Sequence, residues 1–285
     1  MMVFYSHYAG EPDFNMGFDE YLLQRTVERP HRLHIRLYTW SEGTITIGYN
    51  QRFESAVDLQ KLGKTPLIRR VTGGRALFHD LSEITYSLAW DTELCPSPCL
   101  RQPGTGAFNS VSEALVAFLR RLGRSADIVR ASGARDASPD FFHKAPCFAS
   151  RARWEVVSAG RKIVASAARR YGSAVLQHGA IKLGGTAAHP ALDLEPTSAQ
   201  ALRRIDSGEF AQLAGEFECE MSHSLGLNST PGAGQETASN ADNRLRHRVD
   251  YVKRNRFEQR DIFERRACDD SLYRGGSVIC RQKRA

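Results

Sequence analysis

The sequence predicts an α+β fold, with mixed, largely antiparallel sheets and flanking helices. Strand-like and helix-like patterns alternate irregularly along the 285 residues, which fits layered mixed sheets better than a doubly wound parallel sheet. Apolar residues make up 41% of the chain and charged residues 25%, as is usual for a globular protein. A chain of this length can bury a sizeable core without disulfide bonds.

The N-terminal third contains one predicted helix and two predicted strands. Residues 15–23 are expected to form a helix capped by Asn15, with Asp19 and Glu20 early in the helix, where its dipole favours acidic groups. Residues 33–37 alternate apolar and polar side chains, which predicts a half-buried strand. Residues 84–90 alternate in the same way and predict a second strand.

Further elements are predicted in the rest of the chain. Residues 110–113 read Ser-Val-Ser-Glu, a capping-box pattern that predicts the start of a helix, and Gly123 is suited to end that helix. Residues 154–158 and 174–183 predict strands, and residues 160–162 predict a turn into another strand. Residues 228–243 are rich in Ser, Thr, Gly, Asn and Ala, which predicts a flexible linker.

The formal net charge of +7 lies entirely in the C-terminal segment. Residues 244–285 hold 13 Lys or Arg and 6 Asp or Glu, whereas residues 1–243 hold 26 of each. The neutral body makes a nucleic-acid binder the least attractive functional class. The basic segment is either a solvated end of the chain or a surface that attracts an acidic protein partner.

The six cysteines predict free thiols in a reduced, cytoplasmic protein. They are scattered along the chain, and the first residues lack the basic and apolar pattern of a secretory signal. Cys95 and Cys99 have no second close Cys or His pair to complete a metal site, so no bound metal is expected. No apolar run is long enough to span a membrane.

One glycine-rich loop has the composition of a ligand-binding segment. Residues 69–80 read Arg-Arg-Val-Thr-Gly-Gly-Arg-Ala-Leu-Phe-His-Asp. A Gly-Gly pair lets the backbone approach a ligand and expose its N–H groups, and flanking arginines can donate hydrogen bonds to a phosphate or carboxylate. The same composition also occurs in plain turns.

Two later segments contain a thiol and an amine that suit nucleophilic chemistry. Cys147 lies in a Pro-Cys-Phe sequence, and a lone cysteine of this kind is more often buried and inert than catalytic. Lys162 follows a tight turn and begins an apolar stretch, and a lysine that enters a dry site can bind an anion or hold a thiol ionised. His178, beside Gly179, either faces a ligand or is a satisfied structural histidine.

Taken in order, these segments resemble the lipoate–protein ligase and octanoyltransferase superfamily, which is related in fold to biotin protein ligases. The matching pieces are residues 15–16 with 19–20, 40–51, 69–80, 83–87, 147–148, 160–170 and 176–181. The Thr-Gly-Gly-Arg sequence at 72–75 is similar to that of cysteine-dependent bacterial octanoyltransferases. ATP-dependent ligases usually have a third Gly in place of Arg75, and Asn-Asp in place of residues 147–148.

The resemblance implies a lipoate/biotin ligase-like catalytic domain over residues 1–227, a linker over 228–243, and a basic helix and tail over 244–285. It implies that Cys147 takes an octanoyl group from acyl carrier protein as a thioester, and that Lys162 lowers the pKa of that thiol. The acceptor would be a lysine of a lipoyl-accepting protein, either the glycine cleavage H protein or a 2-oxoacid dehydrogenase E2. The implied substrate-binding residues are Arg69, Arg70, Thr72, Gly73, Gly74, Arg75, His79, Ser166, His178 and Gly179.

The chain departs from the family pattern at three places, and alternatives follow. The family's Gly-Ser-Ala-Gln reads Ala-Ser-Ala-Ala at residues 165–168, the stretch after Asp80 carries one extra residue before Glu83, and Ala149 replaces an acidic residue. These changes could alter the acyl group or the acceptor, or mark a loss of activity. The transferase needs no cofactor. One alternative is a lipoate ligase that uses ATP and Mg²⁺, with Lys162 contacting the adenylate. The other is a non-catalytic acyl- or lipoyl-binding scaffold.

Overall fold

The computed structural model describes residues 1–129, 155–184, 187–192, 203–227 and 243–254. Within these ranges the strands are β1 (Met2–Gly10), β2 (Leu33–Trp40), β3 (Thr44–Ile47), β4 (Leu67–Arg69), β5 (Leu77–His79), β6 (Glu83–Asp91), β7 (Asp127–Ile128), β8 (Val156–Ser158), β9 (Arg161–Lys162), β10 (Val164–Tyr171) and β11 (Ala174–Lys182). The α-helices of the same ranges are α1 (Pro12–Glu28), α2 (Phe53–Ala56), α3 (Gly106–Arg121), α4 (Ser207–Ser224) and α5 (Asn243–Arg254).

A five-stranded sheet forms the centre of the fold. Its strand order is β1-β2-β6-β11-β10, with β1 and β2 parallel and every other neighbouring pair antiparallel. Two three-stranded sheets, ordered β4-β3-β5 and β7-β8-β9, flank it. The mixed sheets and flanking helices confirm the predicted α+β class.

The two faces of the central sheet pack against different helices. One face contributes Leu33, Ile35 and Leu37 to the largest apolar cluster, which residues of α3 and α4 complete. The opposite face packs against α1 in a second cluster that includes Phe18 and Leu22. Full burial of one such side chain contributes roughly 1.5–3 kcal/mol, so the strands that carry the site are rigidly supported.

The strand predicted at residues 33–37 is confirmed, but the expected exposure of its polar face was wrong. His34 and Arg36 are both fully buried. The reason is that α1 covers this face and supplies hydrogen-bond partners: Arg36 donates to Asn15 and to Asp19. The alternating pattern therefore marks a buried polar layer rather than a solvent-facing one.

The predicted start of the first helix was also wrong. α1 begins at Pro12, with Glu11 at the cap position, because proline at the first turn is already constrained to a helical φ. Asn15 therefore lies inside the helix, fully buried. Its side-chain amide donates to the carbonyl oxygens of Gly10 at 3.1 Å and Thr39 at 3.2 Å, so it joins α1 to the central sheet.

The helix predicted near residue 110 begins one turn earlier than expected. α3 starts at Gly106, and the hydroxyl of Ser110 donates to the Gly106 carbonyl within the helix, at 3.2 Å, rather than capping it. The end of α3 was predicted correctly, because Gly123 follows it with a φ of 73°, which is common after a helix.

The strands predicted in the second half of the chain are confirmed where they are described. β8 covers most of the predicted strand at 154–158, although residue 154 lies outside the described ranges. The turn predicted at residues 160–162 lies instead at Ala159 and Gly160, both with positive φ, and residues 161–162 already form β9. β10 and β11 then form an antiparallel pair along their whole length.

The C-terminal helix α5 packs across α1. Leu245 is buried in the apolar cluster of α1, and Arg248 donates to Glu20 at 2.9 Å. A Cβ at Gly17 would lie 2.9 Å from the backbone of Val249, so the two helices touch closely. Residues 228–242 and 255–285 lie outside the described ranges, and the predicted domain boundaries stay predictions.

None of the helices in the part of the chain that the structure describes is both long and apolar enough to cross a membrane. The described cysteines Cys95, Cys99 and Cys219 are free thiols.

Candidate functional site

A pocket lies between the central sheet and the β4-β3-β5 sheet. Its empty space is about 350 Å³, part of which is open to solvent. Its walls come from α1, the loop after β4, and strands β2, β5, β6, β10 and β11. The lining residues are Met16, Tyr38, Arg70, Gly74, Leu77, His79, Thr85, Ala165, Ser166, Ala167, His178, Gly179 and Ala180. The fold thus brings together six of the predicted site residues, namely Arg70, Gly74, His79, Ser166, His178 and Gly179.

Arg70 holds the glycine-rich loop from its inner side. Its side chain is only 5% exposed. One guanidinium nitrogen donates to the Thr46 carbonyl at 2.9 Å, and another donates to the carbonyls of Gly73 at 3.0 Å and Arg75 at 2.9 Å. Hydrogen bonds from a charged donor are stronger than neutral ones, so Arg70 fixes the shape of the loop. Its contact with a substrate stays a prediction.

Arg69 supports the segment on which the loop rests. Its guanidinium donates to the carbonyls of Gly48, Tyr49 and Gln51, at 3.1, 2.8 and 2.6 Å. It also stacks on the ring of Phe53, 4.4 Å from the ring centre. Through these contacts Arg69 holds the backbone of residues 48–51 in place.

The glycine-rich loop approaches residues 48–51 so closely that only glycine fits at the point of contact. A Cβ at Gly48 would lie 1.9 Å from the Gly74 carbonyl oxygen. Gly74 itself has a φ of 92°, a conformation that disfavours any side chain. The backbone of Tyr49 donates to the Thr72 carbonyl at 2.8 Å. Gly48 and Gly74 are therefore needed for the path of the loop, whatever it binds, whereas a Cβ at Gly73 would meet nothing within 4 Å.

A buried hydrogen-bonded chain runs from α1 through β11 to the loop. The Asp19 carboxylate lies 2.8 Å from Nδ1 of His178, and Nε2 of His178 lies 2.6 Å from the hydroxyl of Thr72. Asp19 also accepts from Tyr38 at 2.9 Å and from Ser87 at 2.8 Å. We call Asp19, His178 and Thr72 the α1–loop relay.

The charge on Asp19 is stabilised by its neighbours. Burial alone would raise the pKa of this carboxyl, but the hydrogen bond from His178 and the charge of Arg36 outweigh burial and hold the pKa below its usual value. An ionised Asp19 can only accept, so Nδ1 of His178 must carry a proton and donate it. Nε2 on the other side of the ring shares a hydrogen bond with the Thr72 hydroxyl.

A second histidine, on the opposite wall, is held in the same way. Nε2 of His79 lies 2.8 Å from the Thr46 hydroxyl, and Nδ1 lies 2.6 Å from Glu83. The ring stacks on Trp40 with a centroid separation of 4.2 Å. Burial lowers the pKa of His79 despite the nearby Glu83 carboxylate, which favours the neutral ring.

Behind His79 lies a buried lysine that pairs with two carboxylates. Lys182 donates to Asp80 at 2.8 Å, to Glu83, and to the carbonyl of Phe78 at 3.0 Å. Burial alone would lower the pKa of Lys182, but the two carboxylates outweigh it and raise that pKa. Buried ion pairs of this kind destabilise a fold strongly when one partner is removed.

The polar side chains that line the pocket are hydrogen-bonded within the protein. The Tyr38 hydroxyl donates to Asp19, and the Thr85 hydroxyl donates to Glu83 at 3.0 Å. Both histidine rings are held between a threonine and a carboxylate. Together with Met16, Leu77, Ala165, Ala167 and Ala180, these walls suit an apolar chain, because most of the exposed lining is apolar and these polar side chains are already hydrogen-bonded within the protein.

Ser166, Gly179 and Tyr86 are paired across β10, β11 and β6 and share the face of the central sheet that packs against α3 and α4. The Tyr86 hydroxyl lies 2.7 Å from that of Ser166 and accepts from Gln177 at 3.1 Å. Burial raises the pKa of Tyr86 to about 12, so the phenol stays neutral. A Cβ at Gly179 would lie 2.9 Å from the Tyr86 ring, which explains the glycine at this point of β11.

Lys162 lies on β9, apart from the pocket lining. Its side chain is 3% exposed, and its ammonium is 2.5 Å from the carboxylate of Glu155. Cys147 lies outside the described residues. The predicted pairing of Cys147 with Lys162 therefore stays a prediction.

Several residues of the site were not predicted from the sequence. Asp19 and Glu83 lie in segments that carry the family resemblance, but neither was assigned to the site. No sequence pattern pointed to Lys182, the last residue of β11, because its carboxylate partners are about a hundred positions away in the chain. Within the described ranges, no group of three or more His, Cys, Asp or Glu side chains is arranged to hold a metal ion.

Relatives of known name match much of the chain. An octanoyltransferase LipM of Moorella thermoacetica is 37% identical over 177 residues, which is 61% of this chain and 62% of the relative. Another, of Kyrpidia tusciae, is 35% identical over 232 residues, covering 79% of this chain and 77% of the relative. The chain thus spans less than two thirds of the Moorella relative.

Solved structures and a family model agree on the fold. A lipoate-protein ligase A bound with ATP matches with a TM-score of 0.60 at 19% identity, covering 88% of this chain and 94% of the other. A bi-partite lipoate protein ligase from Thermoplasma acidophilum matches with a TM-score of 0.58 at 17% identity, covering 88% and 92%. The model of the lipoyl protein ligase A/B catalytic domain matches residues 11–204. This chain belongs to the lipoyl protein ligase A/B catalytic domain family.

Proposed function

We propose that this chain is an octanoyltransferase that moves an octanoyl group from acyl carrier protein to a lysine of a lipoyl-accepting protein, through a thioester on Cys147. The observation that carries the proposal is the 34–37% identity to relatives named octanoyltransferase. The Thr-Gly-Gly-Arg loop at the mouth of an apolar pocket supports it. The proposal requires no cofactor.

The proposed reaction has two balanced steps. The Cys147 thiolate attacks the carbonyl carbon of the donor thioester, a new C–S bond forms, and the donor thiolate leaves and takes up a proton. The neutral amine of the acceptor lysine then attacks the enzyme thioester. An amide bond forms, the Cys147 thiolate is released, and the amine gives up one proton to a base.

Lys162 has a proposed role in the first step. A free thiol titrates near ~8.5, so only a few per cent is ionised at neutral pH. A nearby ammonium would raise the thiolate fraction. The contact between Lys162 and Glu155 bears on this role, since it fixes the position of the Lys162 ammonium on β9.

The pocket offers the acyl chain a largely apolar lining. Six buried methylenes of an octanoyl chain would contribute about 0.8 kcal/mol each, or roughly 5 kcal/mol in total. Ala165, Leu77 and Ala180 form one small apolar cluster within the pocket wall. Their side chains set the width of the space that the chain would occupy.

The proposed partners are protein domains. Octanoyl-acyl carrier protein is the proposed donor, and an E2 lipoyl domain or the glycine cleavage H protein is the proposed acceptor. An archaeal neighbour in structure is described together with its E2 lipoyl domain, which supports an acceptor of this kind. Arg248 of α5 is used internally by Glu20, so attraction of acidic partners would depend on the other basic groups of residues 244–285.

Intact-mass measurement after incubation with octanoyl-acyl carrier protein, without ATP, tests the proposal. The wild-type chain should gain one octanoyl group, Cys147→Ser should gain none, and Cys219→Ser should behave as wild type. Cys219 is a suitable control because it is a half-buried free thiol on α4. An unmodified wild-type chain would contradict the proposal and leave a ligase and a non-catalytic scaffold, which an assay with ATP separates.

A lipoate ligase is the second candidate, because the fold neighbours include a lipoate-protein ligase bound with ATP. Its distinguishing outcome is acceptor modification from free octanoate or lipoate that requires ATP and Mg²⁺. This activity would survive Cys147→Ser, whereas the transferase activity would not.

A further inference from the structure

The glycine-rich loop has little side-chain anchoring of its own. A Cβ at Gly73 would meet nothing within 4 Å, and Gly74 is exposed. The backbone there must be held from outside, because glycine loses more conformational freedom on ordering than any other residue. Arg70 and the backbone of Tyr49 hold the loop from the small-sheet side.

The α1–loop relay supplies an anchor to the central sheet. Thr72, which precedes Gly73, is fully buried, and its hydroxyl is 2.6 Å from His178 on β11. His178 is oriented by Asp19, 2.8 Å away. Asp19 is fully buried and accepts hydrogen bonds from four side chains, those of Arg36, Tyr38, Ser87 and His178. Its carboxylate therefore cannot turn.

We propose that Asp19, His178 and Thr72 act as positioning residues, which place the Gly73-Gly74 backbone at the mouth of the pocket for acyl transfer. The ionised carboxylate can only accept, so His178 donates to Asp19 through Nδ1, and the other ring nitrogen shares a hydrogen bond with the Thr72 hydroxyl. Thr72 is not part of the pocket lining and is fully buried, so the relay fixes the loop rather than providing a nucleophile. The kinetic part of this inference rests on the proposed function, but its structural part does not.

Thr72→Val tests the relay, because it removes the hydroxyl and keeps the shape of the side chain. Amide hydrogen exchange of residues 71–76 should become about fivefold to tenfold faster, the change expected for one lost hydrogen bond. Thr72→Ser keeps the donor and should exchange within about threefold of wild type. Thr26→Val is the matched control. Thr26 is equally buried on α1 and donates one hydrogen bond, to Leu22 at 3.0 Å.

The kinetic readout separates positioning from simple loss of stability. In Thr72→Val, kcat for octanoyl transfer should fall at least tenfold with little change in KM for the donor. In Thr72→Ser, kcat should stay close to the wild-type value. Thr26→Val should lose similar stability with unchanged kcat. Loop exchange at the wild-type rate in Thr72→Val would overturn the proposal, and so would an octanoyl group found on Thr72 in the Cys147→Ser chain. If the wild-type chain transfers no octanoyl group, the proposed function fails while the exchange measurement still decides on the relay.

Discussion

Replacement of Gly48 by alanine should push the glycine-rich loop away from its support. The new Cβ would lie 1.9 Å from the Gly74 carbonyl oxygen and 3.1 Å from the Gly73 carbonyl carbon. Contacts below 3.0 Å are essentially never seen, so the backbone must move by about 1 Å at this point. Overpacking of this kind costs about 1–3 kcal/mol. We expect the upper half of that range, because both contacting groups are backbone and cannot rotate away.

The functional effect of Gly48→Ala should exceed its effect on stability. A displacement of about 1 Å near reacting groups can reduce the rate about 100-fold, and Gly74 lies at the pocket. Unfolding in guanidinium chloride would measure the free energy of unfolding, with an unchanged m-value as a check that only stability has moved. The transfer assay with octanoyl-acyl carrier protein would measure the rate.

Gly215→Ala provides the matched control. Gly215 lies inside α4, is exposed, and has open space around its missing Cβ, so the same chemical change there should raise the free energy of unfolding by about 0.5–1 kcal/mol. The reasoning is refuted if Gly48→Ala is as stable and as active as wild type.

Three further substitutions test the buried polar groups. Lys182→Met leaves two buried carboxylates without their ammonium and should lower the free energy of unfolding by about 3–5 kcal/mol, as measured by chemical denaturation; a loss below about 1 kcal/mol would contradict the assigned ion pairs. Burial alone would raise the pKa of Asp80, but Lys182 and hydrogen bonds from Ser82 hold that pKa below its usual value. The ionised Asp80 carboxylate therefore stabilises the fold above the pKa that it has in the unfolded chain, and this stabilisation is lost as the pH falls through its pKa in the folded chain. Asp80→Asn should accordingly flatten the loss of stability below about pH 4, and an unchanged acid profile would argue against this. Ala168→Gln places an amide directly across from Gln177, whose buried side-chain oxygen has no hydrogen-bond partner, and should add about 1 kcal/mol to thermal stability; no gain would show that the added amide does not reach.

The sequence was informative where local patterns decide the structure. The strands at residues 84–90 and 174–183 and the glycine after α3 follow from alternation and from turn chemistry. The glycine-rich loop was recognised as a special backbone segment, and Gly48 and Gly74 give the physical reason, a close approach of two chains.

Long-range contacts set the limit of what could be predicted. Asn15 and Ser110 have good capping side chains, but both lie inside their helices, where Asn15 donates to the Thr39 carbonyl of β2 and Ser110 donates to the Gly106 carbonyl of its own helix. Asp19 and His178 are separated by 159 positions, and no local pattern indicates that they meet. Arg36 looked like a solvent-facing strand residue, since its burial depends on a carboxylate that α1 brings to it.

The packing of α5 on α1 has a consequence for how the molecule is made. α1 contributes Met16 to the pocket and Asp19 to the relay, and its outer surface is completed by Leu245 and Arg248, more than two hundred positions later in the chain. Contacts between such distant segments form late, because a long loop must close first. During synthesis α1 therefore stays uncovered until α5 has been made, and its apolar surface is open to unwanted association until then.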